Sequence, residues 1–527
     1  MTDALWSGPA AGTPFAPKRL NASFMRQVYS RVPISGDQWT EGRTAQFVFK
    51  STPDSLVHLP SSRIVVKMKL TDGAGNALPG SVRLQSDPIN AGLFNQMKYA
   101  VNGVVINAVG ANLGDFSNVH HRLTDTFEGQ STIGTTSLIG FKKDMFHPLN
   151  GIKAPHVAVQ AGTEATHLEG ELLQANLGMC KRERVFDTNI KQSIIQANTD
   201  GVLAYAFEVD ACPALPFWRQ QQKALGMNLE HSLECTIQTD FKKHLLFSGT
   251  VKSFPSSNTV TMTGTPTAAH PMSVKGNATG SNAVPLLHTA TPANPINLGV
   301  TMPLATAEIP ALLDAHINVA DITGIKVVIE EVYLNLCILQ PRAPLPRPLS
   351  LQTNWVDMTL LTRTLQNSQN YTEVFTVPLS STQFFVAIRR SAASLNVDRE
   401  AYDGGVHFTS ASLQRGSSIQ PMPSYKLSPP KLQCARALSD YNRIIGATSV
   451  NARGGRDILS WCEEPCLLFN SQTEEASSSI TLRFETSPGV DLSDYELLVM
   501  CYHHRVAEFV VDSSGQPTST LTDELVL

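Results

Sequence analysis

Charge is scarce in this chain. Asp, Glu, Lys and Arg make up 16% of its 527 residues, against roughly 25% in an average soluble protein. A net charge of −4 excludes a protein that coats nucleic acid, which needs many phosphate-neutralising Lys and Arg. No apolar run reaches the ~18–20 residues that a membrane-spanning helix requires. The opening MTDALWSGPAAG lacks the charged-then-apolar order of a secretion signal, so a reducing compartment is expected. The eight cysteines, at 180, 212, 235, 337, 434, 462, 466 and 501, form no disulfide framework; several fall in apolar runs, where free Cys behaves as a small buried hydrophobe.

Catalytic signatures are missing as well. The chain contains no GxSxG elbow, no GxxxxGK phosphate loop and no HExxH. The glycines of Asn451-Ala452-Arg453-Gly454-Gly455-Arg456-Asp457 read as a polar turn, with no Lys-Ser/Thr after them. Cys462, Cys466, Cys501, His503 and His504 are the best metal candidates by residue type. Cys462 and Cys466 lack CxxC spacing, however, and adjacent histidines on a strand point to opposite faces. They are expected to be core and edge residues. His120 and His121 are expected on the surface of a helix. The neighbouring acids Glu330-Glu331 and Glu463-Glu464 do not face each other across a substrate as glycosidase carboxylates must. No catalytic, cofactor-binding or metal residue is therefore assigned, and no cofactor is expected.

What is present is alternation. Gly 34 and Pro 32, with abundant Ser and Thr, favour a loop-rich β protein. In Arg63–Leu70, Ile64, Val66, Met68 and Leu70 share one face, with Lys67 and Lys69 on the other. Residues 227–239 set Met227, Leu229, Leu233, Cys235 and Ile237 against Glu230, Ser232, Glu234, Thr236 and Gln238. Residues 479–485 alternate in the same way, as do 203–209, 326–339, 371–377, 383–389, 407–413 and 495–511. Such period-2 runs are half-buried antiparallel strands of a β-sandwich. Helical spacing is confined to Phe116, Val119, Leu123 and Phe127, with Asp115 or Ser117 as N-cap, and to Leu438, Tyr441 and Ile445, with Gly446 as the stop.

One order of elements occurs twice. Strand, Asn102-Gly103 turn, strand and helix fill 94–127. Strand, Arg415-Gly416 turn, strand, the linker PMPSYKLSPP and a helix fill 407–445. The Pro-rich QPRAPLPRPLS at 340–350 lies between them as a stiff spacer. Two consecutive sandwiches, each with one short helix, are the simplest reading. Residues 249–307, which contain no acid, read as an ordered, exposed insertion.

In segment order the chain resembles the double jelly-roll major capsid proteins, especially the hexon-like ones of polintons, adintoviruses, virophages and related small eukaryotic DNA viruses. The likeness is carried by AQFVFKSTPDSLVHLPSSRIVVKMKLTDGAG; by DPINAGLFNQMKYAVNGVVIN, through Pro88, Ile89, Asn90, Leu93, Phe94, Asn102 and Gly103; by KVVIEEVYLNLCILQPRA; by TRTLQNSQNYTEVFTVPLSSTQFFVAIRR; and by ITLRFETSPGVDLSDYELLVMCYHHRVAEFVVD. It covers most of 41–512 and rests on order and spacing. Ala91-Gly92 departs from the family's more polar step before Leu-Phe.

The resemblance implies an all-β fold of two consecutive jelly rolls, the first with large loop or tower insertions. The expected division is an N-terminal arm (1–40), a first jelly roll (41–341) with insertions at about 130–200 and 245–325, a connector (342–350), a second jelly roll (351–512) and a C-terminal tail (513–527). It implies a non-enzymatic major capsid protein. Homotrimers with a pseudo-hexagonal outline would tile an icosahedral shell and touch neighbouring capsomers, penton and minor capsid proteins. Neither specific nucleic-acid binding nor membrane insertion is implied. The expected location is the virion capsid, assembled in the host nucleus or cytoplasm. The rival readings are a two-domain carbohydrate-binding or adhesin-like sandwich and a β-sandwich hydrolase.

Overall fold

A computed structural model describes most of residues 24–124, 206–238 and 326–523, with short strands between 245 and 316. Cys180, Cys462, Phe127, residues 130–200, most of 245–325 and the connector 342–349 lie outside the described residues. Among the described residues, no helix is long and apolar enough to cross a membrane.

The first sandwich contains β1 (Phe24–Pro33), β2 (Thr44–Lys50), β3 (Leu56–Val57), β4 (Arg63–Thr71), β5 (Ser81–Leu84), β6 (Phe94–Val101), β7 (Val104–Val109), β8 (Phe207–Ala211) and β9 (Glu230–Ile237). After β9 come the short strands β10 (Leu245–Gly249), β11 (Val251–Ser253), β12 (Thr261–Met262) and β13 (Ala315–His316), then the long β14 (Lys326–Pro341). One sheet runs β1-β14-β4-β8 and its partner β2-β9-β6-β7; β13-β10-β5 and β11-β12 are separate small sheets.

The second sandwich contains β15 (Ser350–Thr364), β16 (Asn370–Thr376), β17 (Ser381–Arg390), β18 (Phe408–Arg415), β19 (Ser418–Lys426), β20 (Leu467–Asn470), β21 (Ser479–Thr486), β22 (Tyr495–Val511) and β23 (Pro517–Asp523). Its sheets run β15-β22-β17-β20 and β16-β21-β18-β19. Position for position, this is the connectivity of the first sandwich: the opening strand pairs with the closing one, and the second strand with the penultimate one. Each unit is a jelly roll, with the inner faces of its sheets sharing a core. Each closing strand also carries an extra partner, β3 on β14 and β23 on β22.

The local chemistry follows the sequence. In β9 the burial alternates strictly, with Leu233, Cys235 and Ile237 inside. Asn102 and Gly103 both take positive φ, at 49° and 78°, as the two-residue turn between β6 and β7 demands. The Gly416-Ser417 turn joins β18 to β19 with only glycine left-handed, at φ 58°. Helix α1 (Leu113–Thr124) follows β7, α2 (Pro216–Gln220) follows β8, and α3 (Ala435–Ile444) follows β19. Phe116 and Val119 are buried and Leu123 packs against the core. Gly446, at φ 70°, follows α3 where the stop was expected.

Several expectations change. Residues 24–33, read as part of an arm, are the opening strand β1. Residues 517–523, read as tail, form β23 on the closing strand. PMPSYK is not a linker but the second half of β19. That strand tolerates Pro421 and Pro423 because it is a sheet edge, where a missing N–H breaks no ladder. Neither Asp115 nor Ser117 caps α1. The helix starts earlier, at Leu113, and both side chains are taken by tertiary partners described below.

Register also gives the molecule two ends. Residues 72–93, 110–206 and 238–325 all leave the first sandwich at the end where Thr71 pairs with Lys326. Residues 391–407, 427–466 and 487–494 leave the second where Arg390 pairs with Tyr495. The start of β1, the end of β14, the start of β15 and the end of β22 share the opposite end, since Phe24 pairs with Pro341 and Ser350 with Val510.

Candidate functional site

A buried cluster of charged side chains joins the two sandwiches. Arg389 on β17 has a side chain only 2% exposed. Its Nε donates to Glu496 Oε1 at 2.7 Å, from the residue opposite it on β22. Its Nη2 donates to Asp115 Oδ2 at 3.0 Å, and its Nη1 donates to Asp115 Oδ1. Asp115 stands in the first turn of α1, in the other sandwich. Planar guanidinium and carboxylate meet in a fork, the strongest form of this pair. A helix N-terminus is also where a carboxylate is best placed.

A second link lies further along the joint. Asp357 on β15 accepts from Asn107 Nδ2 of β7 and from Arg505 Nη1 of β22, both at 3.1 Å. Asn107 Oδ1 accepts the backbone N–H of Phe217, so the same side chain fixes the start of α2. Gln220 then closes the free edge of β15: its Nε2 donates to the carbonyl of Val356 at 2.8 Å, and its Oε1 accepts the N–H of Val356 at 2.9 Å. Thr353 Oγ1 donates to Gln221 Oε1. Phe217 meets Trp355 edge-on, with ring centroids 4.9 Å apart.

A third contact uses Gly454, from the turn NARGGRD. Its φ is +58°, and a Cβ there would fall 2.5 Å from the carbonyl oxygen of Leu123 at the end of α1. Tyr441 and Asn442 of α3 hold that turn through Gly454 O and Arg456. Gly454 therefore seats one sandwich on the other.

Two buried polar hubs support this frame from the first sandwich. Asp87 is fully buried and accepts from the backbone of Ile89 and Asn90, from Asn90 Nδ2 and from Ser117 Oγ. Asn90 in turn bonds Cys212 O and the N–H of Ala214, tying the turn before β6 to the approach of α2. Near the opposite end, His231 accepts or donates at Tyr99 Oη (2.7 Å) and Ser51 Oγ (2.9 Å) and stacks on Phe49. Burial pushes its pKa down to about 3, so the ring is neutral at physiological pH. Ser51, His231 and Tyr99 are all fully buried core residues.

Of the metal candidates, Cys466, Cys501, His503 and His504 fall among the described residues. Cys501 is buried on β22, and burial pushes its thiol up to about 12. Cys466 is buried beside Trp461, whose Nε1 donates to its carbonyl. His503 turns inward to Thr359 and His504 is half-buried. Among the described residues, no group of three or more His, Cys, Asp or Glu could hold a metal. His120 is held well below its ordinary pKa by burial, then by Arg219 and His121; it is less open than a helix-surface residue was expected to be.

Neither the joint nor the hubs were assigned from sequence. Arg389 and Asp115 lie 274 positions apart. A local signal did exist for two residues. Asp87 precedes Pro88, the pattern of a cap before a first-turn proline, and His231 breaks an otherwise apolar face of β9.

No protein-family model matches this chain, and no curated protein matches its sequence. Solved structures do match. A chain from the cryo-EM structure of the Sputnik virophage superposes with a TM-score of 0.52 at 9% identity, over 95% of this chain and 89% of that one. The Faustovirus major capsid protein gives 0.45 at 10% identity, over 92% and 90%. The mavirus major capsid protein gives 0.43 at 11%, over 97% and 95%. The first of these establishes a shared fold along nearly the whole length. With the topology above, the chain is a double jelly roll.

Proposed function

We propose that this chain is a viral major capsid protein, and that three copies form a pseudo-hexagonal capsomer that tiles an icosahedral shell. The observation that carries the reading is the joint. Two sandwiches of one topology are held side by side, with matching ends together, by buried Arg389 and its partners Asp115 and Glu496. A rigid pair of like units is what lets three chains present six similar sandwiches around one axis. The division into ends supports a shell with two faces. The long segments 110–206 and 238–325 leave from one end, fit for the particle exterior; the start of β1, the end of β14, the start of β15 and the end of β22 lie at the other. The role is structural, without catalysis or cofactor. Partners would be neighbouring capsomers, penton and minor capsid proteins, and assembly would take place inside the host cell.

The test is the mass of the purified chain in solution with its outline by negative-stain microscopy. A particle of three times 57.2 kDa with a hexagonal outline supports the capsomer. A monomer stabilised by sugars would replace it with the carbohydrate-binding reading.

A further inference from the structure

Each closing strand outruns its own sandwich. On the side away from the opening strand, β14 is paired by β4 as far as Asn335 and then by β3, at Ile338 and Leu339. On the same side β22 is paired by β17 as far as His503 and then by β23, from Arg505 to Val511. The two added strands hold equivalent places but arise differently. β3 belongs to the connection between β2 and β4, whereas the matching connection between β16 and β17, residues 377–380, contains no strand. The second sandwich covers that edge with residues 517–523, which lie beyond its closing strand.

The edge is apolar and its cover is not. Val506, Ala507 and Phe509 of β22 are buried. Register sets Ser519 opposite Phe509, Leu521 opposite Ala507 and Asp523 opposite Arg505. Leu521 is the only aliphatic residue of β23, and it is partly buried. Ser519 is buried, and its hydroxyl has no hydrogen-bond partner among the described residues. A stranded hydroxyl weakens the strand that carries it. Thr518 and Thr520 stay exposed, their hydroxyls donating to the carbonyls of Val510 (3.1 Å) and Glu508 (3.4 Å). A main-chain ladder, two surface hydroxyls and one leucine make a segment that opens before the core does. An apolar strand edge without its cover is a template for another strand.

We propose that β23 is an exchangeable cover, and that the β22 edge from Arg505 to Val511 docks an extended segment of another protein by strand addition. The register defines that segment. It runs antiparallel to β22, with aliphatic residues at the places of Ser519 and Leu521, small polar residues beside them, and an acid at the place of Asp523, opposite Arg505. An aliphatic side chain against Phe509 removes the stranded hydroxyl and adds apolar contact, so the guest outcompetes the resident. The site lies at the end of the molecule away from the long insertions. The inference goes beyond the capsomer reading and does not depend on it.

The experiment uses the full chain, its Ser519→Val and Leu521→Asp variants, and a fluorescent peptide of residues 513–527 carrying Ser519→Val. Hydrogen exchange follows β23, fluorescence anisotropy follows the peptide, and thermal melting controls for the fold. In the parent, β23 is expected to exchange faster than β21, and Ser519→Val to slow it by about tenfold or more. The peptide is expected to bind Leu521→Asp about tenfold or more tightly than the parent, and not to bind Ser519→Val. A β23 that exchanges as slowly as β21, no slowing in Ser519→Val, or a peptide that binds all three forms alike or none of them, overturns the proposal. A parent chain whose mass falls when the peptide is added has its edge filled by a second copy's strand, which overturns the foreign partner. A trimer that the peptide leaves intact, with the exchange and binding pattern above, supports it.

Discussion

Replacing Arg389 with Met tests the joint most severely. The substitution keeps the apolar stem and removes the cation. Asp115 and Glu496 then face each other with side chains only 14% and 12% exposed, too little water to solvate two like charges. Removing one partner of a buried ion pair costs about 3–5 kcal/mol, and Arg389→Met is expected in that range. Asp115→Asn leaves Arg389 with Glu496 and loses the charged fork between sandwiches, a cost of about 1.5–3 kcal/mol. The triple variant Asp115→Asn, Arg389→Met, Glu496→Gln carries no charge and recovers part of the loss, because two like charges no longer face each other in a buried site. Urea unfolding followed by tryptophan fluorescence reads this directly, since Trp218 and Trp355 flank the joint from either side. The parent chain is expected to unfold in one transition, and Arg389→Met to split it as the sandwiches uncouple. A loss below about 1 kcal/mol, or a triple variant no better than Arg389→Met, would mean that the Arg389 cluster does not hold the sandwiches together.

Acid sensitivity follows from His231. Burial depresses its pKa from 6.5 to about 3, so the unfolded chain takes up the proton first as pH falls. The stabilisation is full above pH 6.5 and is lost progressively down to about 3, amounting to about 2 kcal/mol between pH 6.5 and 5. His231→Phe should shrink the difference in urea stability between pH 7 and pH 5 by that amount; an unchanged difference contradicts the assignment. Gly454→Ala combines a positive φ with a Cβ 2.5 Å from the Leu123 carbonyl and should cost about 1–3 kcal/mol. Gly103→Ala has open space around it and should cost only left-handed strain, about 1–2 kcal/mol. Thermal melting of the pair checks the order, and equal losses would mean that the 454 turn gives way.

The sandwich strands were legible wherever one face meets a core and the other water, as in β4, β9, β21 and β22. The turns at Gly103 and Gly416 were legible because backbone geometry restricts the residues that fit. β15 was not. Its buried set includes Thr353 and Asp357 beside Trp355 and Met358, because the neighbouring sandwich, not a lipid-like core, covers them. β1 buries none of its described residues and β23 is mostly Ser and Thr, so neither shows apolar alternation. Arg389 looks in sequence like one of a pair of surface cations ending a strand. Only the fold brings Asp115 to it.

Two equivalent sandwiches per chain would make a trimer the unit of assembly. Sedimentation equilibrium of the full chain near neutral pH measures this most directly. A single species of three times 57.2 kDa is expected across a wide range of concentration. A species at the mass of one chain, unchanged as concentration rises, would contradict it.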